Sequence, residues 1–228
     1  MTPALYLIPA ALGGAPAQVL PAPTAEAVRT LRDFAVENAK SARAFLAALD
    51  MPCPMRELRI VPIGEDPGAL LQPLRAGRSL GVISEAGCPA VADPGQALVA
   101  AAHAAGFRVV PLVGPSSILL ALMASGLEGQ RFAFRGYLPR DAGERAGRIR
   151  ALEKTSRAAQ ETQIFIETPY RNDALLAALL ECCAPTTRLC VAVDLTLPGE
   201  RVVSRRVAQW RESPIPIGRR PAVFLLLA

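Results

Sequence analysis

Short apolar runs alternate with longer stretches of helical periodicity through the first half of the chain, the pattern of a parallel sheet with helical crossovers. Runs at Leu5–Ile8, Phe34–Val36, Leu58–Pro62, Leu80–Ser84 and Arg108–Leu112 predict five strands. Between them the spacing predicts helices over Thr24–Arg32, opened by a Thr cap, over Ala39–Leu49, Gly68–Ala76 and Gln96–Ala105, the last closed by Gly106. One more helix is predicted over Pro115–Ser125, where Gly126 suits the left-handed C-terminal cap. The polar segment Glu128-Gly129-Gln130 then marks a domain boundary, dividing the chain into residues 1–128 and 129–228. Beyond it the pattern changes. Strands are predicted over Phe132–Leu138, Gln163–Ile166, Leu189–Asp194, Arg201–Gln209 and Ala222–Leu227, with only two helices, near Asp141–Arg157 and Asn172–Cys183. Three successive strands without a helix pair antiparallel, so the second sheet is expected to be mixed. The expected class is α/β: an N-terminal parallel five-stranded sheet and a C-terminal mixed sheet, each with helices.

Composition narrows the function classes. With 51% apolar and 20% charged residues the chain is folded rather than disordered. Aromatics are only 5%, which disfavours a binder working mainly by stacking bases on aromatic platforms. The apolar stretch Ala4–Leu12 has no basic flank, since the first charged residue is Glu26, and it reads as a buried strand rather than a secretory signal. No apolar run approaches the roughly 18 residues that span a bilayer. Cys53, Cys88, Cys182, Cys183 and Cys190 form no CxxC pair, and His103 is the one histidine available to a zinc site. A cytoplasmic protein with reduced thiols, no bound metal and no membrane partner is expected. The net charge of +5 is concentrated: from Arg131 to Gln160 there are eight basic and three acidic residues, which accounts for the whole excess. An anionic partner for Arg140, Arg145, Arg148 and their neighbours is one reading, and a solvated helix face is the other.

Ligands of an open parallel sheet collect beyond the carboxyl ends of its strands. There the fourth strand leads into Ser84-Glu85-Ala86-Gly87-Cys88-Pro89-Ala90-Val91-Ala92-Asp93-Pro94-Gly95, and the fifth into Val113-Gly114-Pro115-Ser116-Ser117. Glycine and proline among small side chains let a backbone approach a ligand closely, and free amides at a helix start suit a carboxylate or phosphate. GxGxxG and GxxxxGK[ST] are both missing, so nicotinamide redox chemistry and ATP hydrolysis lose their usual support.

The blocks running from Leu80 to Arg145 (LGVISEAGCPAVADPG, GFRVVPLVGPSSILLALMASGL, FAFRGYLPRDAGER) resemble the tetrapyrrole methylase superfamily, in particular its small-subunit ribosomal RNA 2′-O-methyltransferases. Glu167-Thr168-Pro169-Tyr170-Arg171 is similar to that family's ESPxR block, and Asp194-Leu195-Thr196 with Glu200 to its ELT…E block. The resemblance implies a methyl donor, S-adenosylmethionine, in a cleft between the two domains, a ribosomal RNA or small-subunit partner, and a homodimer. Carried over by position, the donor site comprises Pro9, Gly13, Glu85, Ala86, Gly87, Pro89, Asp93, Gly95, Gly114, Ser116 and Ser117, with Glu167, Leu195 and Ala222 from the second domain. Near the second strand the family's AEDTRxTR pattern reads Val36-Glu37-Asn38-Ala39-Lys40-Ser41-Ala42-Arg43, and the usual PIGNL reads Pro9-Ala10-Ala11-Leu12-Gly13. Lys40, Arg43 and Arg171 are the acceptor-side contacts the resemblance implies. A ribose hydroxyl must lose a proton, so Glu37 or Glu167 is the candidate base. Equally, Glu37 caps the following helix or pairs with Lys40 or Arg43, and Glu167 holds Arg171. A tetrapyrrole or other small acceptor is the alternative substrate, and a non-catalytic RNA-binding relative the alternative class.

Overall fold

A computed structural model describes residues 2–228. By their contacts these fall into two compact units, residues 2–116 and 117–228.

In the first unit five parallel strands, β1 (Ala4–Ile8), β2 (Asp33–Val36), β3 (Arg59–Pro62), β4 (Leu80–Ile83) and β5 (Arg108–Pro111), lie in the order β3-β2-β4-β1-β5. The three inner strands are covered on both faces, which is why they read as continuous apolar runs. Side chains still alternate: Phe34, Val36, Ile8 and Ile83 join the core under α1 (Ala22–Arg29) and α2 (Ala39–Ala48), while Leu5, Ala35, Leu80 and Val82 pack with α4 (Gln72–Arg75) and α5 (Gln96–Ala104). The short α3 (Pro67–Leu70) precedes α4, and Pro73 splits the single helix predicted over Gly68–Ala76 into these two. Asp33 is buried inside β2 because Arg78 grips its carboxylate at 3.0 and 3.3 Å. Thr24 does not cap α1. The helix starts at Ala22 with Pro21 as its N-cap, and the Thr24 hydroxyl donates to the Val113 carbonyl at 2.7 Å, fastening α1 to the fifth-strand loop.

The second unit begins with α6 (Ser117–Ser125), which packs on the strands of the second sheet; for this reason the division falls one helix before the Glu128–Gln130 segment. Strands β6 (Phe132–Tyr137), β7 (Thr162–Ile166), β8 (Arg188–Val193), β9 (Arg201–Arg206) and β10 (Ala222–Leu227) run in the order β6-β7-β10-β8-β9. Only β6 and β7 pair in parallel, and the other neighbours are antiparallel, giving the mixed sheet. Helices α7 (Ala142–Ala159) and α8 (Asn172–Cys182) cover a core built on Ile149, Leu152, Leu175, Leu179, Phe165 and Phe224. The strand predicted over Arg201–Gln209 ends at Arg206 and gives way to a short helix, α9 (Val207–Glu212). There Gln209 accepts the Arg206 N–H at 3.0 Å, and Trp210 is buried with its indole N–H on the Leu189 carbonyl at 2.9 Å. No helix among the described residues is long and apolar enough to cross a membrane.

Candidate active site

The connections that leave neighbouring strands β1 and β4 run in opposite directions along the sheet, to β2 and to β5. That reversal is where a crevice opens beyond the strand ends. Ala10 and Gly87 meet across it in two backbone hydrogen bonds of 2.9 and 3.1 Å, tying the first-strand loop to the fourth. Gly87 has φ +71°, which a glycine adopts without strain. The Cys88 thiol reaches the Pro115 carbonyl at 3.5 Å and brings in the fifth-strand loop. Gly114 lies flat on the buried Pro9: a Cβ there would overlap the Pro9 ring and approach Leu20 at 3.1 Å. A larger residue at 114 therefore displaces the first loop. Ala90 and Ala92 hold φ of +67° and +65°, and left-handed residues other than glycine concentrate at ligand sites. Pro89 and Gly95 are buried, Gly13, Ser116 and Ser117 half-buried, and Glu85 and Ala86 exposed.

Three carboxylates gather here. Glu37, at the end of β2, accepts the Glu85 N–H through Oε2 at 3.0 Å, and Glu85 in turn accepts the Ser41 hydroxyl at 3.3 Å. Burial, then the negative charge of Glu37 and of Glu85, pushes the Asp93 carboxyl above its ordinary value, against a hydrogen bond with Ser84. A cavity of about 280 Å³ opens beside them, lined in part by Ala10, Gly14, Ser41, Phe45, Ser84 and Glu85. Asn38 is the N-cap of α2, accepting from the Lys40 and Ser41 amides at 2.9 and 3.4 Å. Where the family pattern has aspartate, asparagine thus keeps the capping function. Lys40 and Arg43 stand exposed on that helix.

The upward shift of Asp93, set first by burial and then by its charged neighbours, has a measurable consequence. A carboxyl whose folded-state pKa is raised favours folding when protonated, and that contribution is lost as pH rises through the raised value. Asp93→Asn is therefore expected to raise the melting temperature of the free protein at neutral pH, with the advantage shrinking toward acid pH. The same change weakens a cationic ligand held by the carboxylate about tenfold, as for a lost hydrogen bond to a charged group. Thermal melts and calorimetry across pH check both; unchanged ligand affinity removes Asp93 from the site.

In the second unit, Glu167 is buried, and its Oε1 accepts both the Thr168 N–H at 2.6 Å and the Arg171 guanidinium. Its side chain is 1% exposed and paired with Arg171. Buried Leu195 sits between Asp194 and Thr196, whose φ values are +50° and +71°. A β-branched residue in that region is an outlier. The strain is held in place because Thr196 N–H donates to Glu200 at 2.7 Å, and Asp194 takes the Arg220 guanidinium at 2.6 Å and donates its N–H to Pro221 at 3.0 Å. The Thr196 hydroxyl is buried with no partner among the described residues, an arrangement that costs about 1–3 kcal/mol until a polar group meets it. Ala222 opens β10 beside this block.

The basic helix α7 divides its charges by periodicity. Arg150, Lys154 and Arg157 are exposed at i, i+4, i+7 and form one stripe; exposed Arg148 stands apart, and Arg140 precedes the helix. Arg145 does not belong with them. It falls on the side of Ile149 and Leu152, its Nε is buried, and Nη1 donates to the Arg140 carbonyl at 3.0 Å, so its charge is spent on closing the start of the helix.

The family model of the tetrapyrrole (corrin/porphyrin) methylases matches residues 15–210. The chain belongs to this family. Among relatives of this methylase, the ribosomal RNA small subunit methyltransferase I of Mesorhizobium japonicum is 35% identical over 89% of the chain and 67% of the relative. That of Vibrio cholerae is 30% identical over 91% of the chain and 70% of the relative. The chain thus spans about two thirds of the length of these relatives. The fold is shared with the methyltransferase CobJ (TM-score 0.64, 18% identity, 98% of this chain, 93% of the other). It is shared too with uroporphyrin-III C-methyltransferase from Thermus thermophilus complexed with S-adenosylhomocysteine (TM-score 0.59, 19% identity, 98% and 97%). This methylase is a methyltransferase, and its methyl donor is S-adenosylmethionine.

The residues present suit that donor. It carries a sulfonium and an ammonium, either of which offsets the repulsion among Glu37, Glu85 and Asp93. Burial pushes the Cys183 thiol up to about 12 and the Cys190 thiol up to about 11, and burial with the Asp93 charge raises the half-buried Cys88, which disfavours the reactive thiolate in each.

Proposed function

We propose that this methylase transfers the methyl group to a ribose 2′-hydroxyl of small-subunit ribosomal RNA. The observation that carries the reading is the exposed stripe of Arg150, Lys154 and Arg157, on a chain whose relatives are named for ribosomal RNA. Three cations spaced one turn apart along a helix suit successive phosphates of a polyanion, and Arg140 and Arg148 extend the positive surface. Localisation in the cytoplasm follows from such a substrate. Exposed Leu119 and Met123, one turn apart on α6, support pairing with a second copy.

In this reading the donor supplies an electrophilic methyl carbon, and the loops Pro9–Gly13, Glu85–Gly95 and Gly114–Ser117 hold it. Asp93 and Glu85 meet its positive charge or its ribose hydroxyls. The attacking 2′-hydroxyl passes its proton to Glu37, whose Oε2 is occupied by the Glu85 amide, which leaves Oε1 for the proton. Of the two candidate carboxylates, the ion pair with Arg171 turns Glu167 to a structural task. Glu37→Gln keeps an acceptor for the Glu85 amide and removes the basicity. It is expected to slow single-turnover methylation about 10²-fold while donor affinity stays within about threefold. A full single-turnover rate in this variant takes Glu37 out of the chemistry.

A further inference from the structure

An exposed aromatic ring is ordinary in itself, but Tyr170 is 78% exposed in a chain with few aromatics and carries the Arg219 guanidinium 5.1 Å from its ring centroid. The two residues come from separate elements, the turn after β7 and the loop before β10. Hydrogen bonds from the exposed Asp173 and the buried Asn172 support them. Asp173 accepts the Ile217 and Gly218 amides at 2.7 and 3.2 Å, and Asn172 donates to the Gly218 and Arg220 carbonyls at 3.2 and 2.7 Å. The backbone is thus clamped on both sides of Arg219. Arg220 is fixed on Asp194, and Arg171, next to Tyr170, on Glu167. Rigid backbone under an exposed aromatic–guanidinium pair means that little conformational entropy is lost when a flat ligand stacks on it.

We propose that Tyr170 and Arg219 form a stacking platform for an unpaired nucleobase of the RNA substrate; this rests on the RNA reading above. Every base offers a π-face to a tyrosine ring, and the guanidinium adds attraction to the neighbouring phosphates. Bases inside an A-form duplex have both faces covered, so the platform selects single-stranded or splayed nucleotides.

The test uses an oligoribonucleotide of about ten residues containing 2-aminopurine, single-stranded or annealed to its complement, with the full chain and its Tyr170→Leu, Tyr170→Phe and Arg219→Gln variants. The unaltered protein should prefer the single strand and quench its fluorescence. Tyr170→Leu should abolish the quench, weaken the single strand about tenfold and raise KM for small ribosomal subunits, with donor affinity unchanged. Tyr170→Phe should retain all three, and Arg219→Gln should fall between. If Tyr170→Leu matches the unaltered protein in quench and affinity while that protein methylates RNA, the platform is refuted and the RNA reading stands. If the unaltered protein neither binds nor labels RNA, the reading itself falls and takes the platform with it.

Discussion

Changing Arg150, Lys154 and Arg157 together to glutamine is expected to weaken binding to the small ribosomal subunit about 10²-fold at 0.1 M salt and to abolish its methylation there. Each phosphate neutralised by a protein cation releases condensed counterions, so each lost contact lowers the log–log salt slope by about 0.7–0.9. Three contacts remove about two to three from that slope. The three side chains are exposed, and among the described residues their one ion pair, Arg157 with the buried Glu153, is long at 3.9 Å and leaves Glu153 its hydrogen bonds from the Ala184 amide and the Thr187 hydroxyl. Thermal stability and donor affinity should therefore be preserved, which separates loss of RNA contact from loss of structure. An unchanged salt slope with full methylation would make the stripe a solvated face. Adding Arg145→Gln should act differently, by lowering the melting temperature, because that side chain is packed at the start of α7.

Glu167→Ala should instead destabilise the second unit by about 3 kcal/mol, since removing one partner of a buried pair leaves the other charge uncompensated. The Thr168 amide loses its acceptor as well. Arg171 keeps some contact with water, at 28% side-chain exposure, which places the effect at the lower end for such pairs. Glu167→Gln, which keeps an acceptor, should cost less, and Glu167→Ala with Arg171→Ala should cost less than the sum of the single changes. Denaturant melts measure all four. A catalytic base would behave oppositely, with unchanged melting and a collapsed turnover at saturating donor.

The inner strands of the first sheet were legible because burial on both faces leaves uninterrupted apolar runs such as those at Leu5 and Leu80, and the ligand loops because Gly87, Pro89, Gly95 and Gly114 punctuate them. α9 was not legible: six residues span fewer than two turns, and the alternation of Arg201–Arg206 runs into Val207 without a break. Thr24 has the chemistry of a cap, yet its hydroxyl is claimed by Val113, 89 residues away, which no local pattern records. Arg145 counted toward a charge cluster, and only the helical phase shows that it faces Ile149. The strained Thr196 left no trace in sequence for a similar reason. Its conformation is held by Arg220 and Asp194, 26 residues apart, across the antiparallel pairing of β10 and β8.

Methyl transfer to a ribose of ribosomal RNA is tested by incorporation of label from methyl-labelled S-adenosylmethionine into small ribosomal subunits of a strain lacking this protein, followed by alkaline digestion of the RNA. A 2′-O-methyl group removes the hydroxyl that attacks the neighbouring phosphodiester, so label appearing in an alkali-resistant dinucleotide is the predicted result. Label in single nucleotides would place the methyl on a base, and label absent from RNA but transferred to a tetrapyrrole would contradict the account.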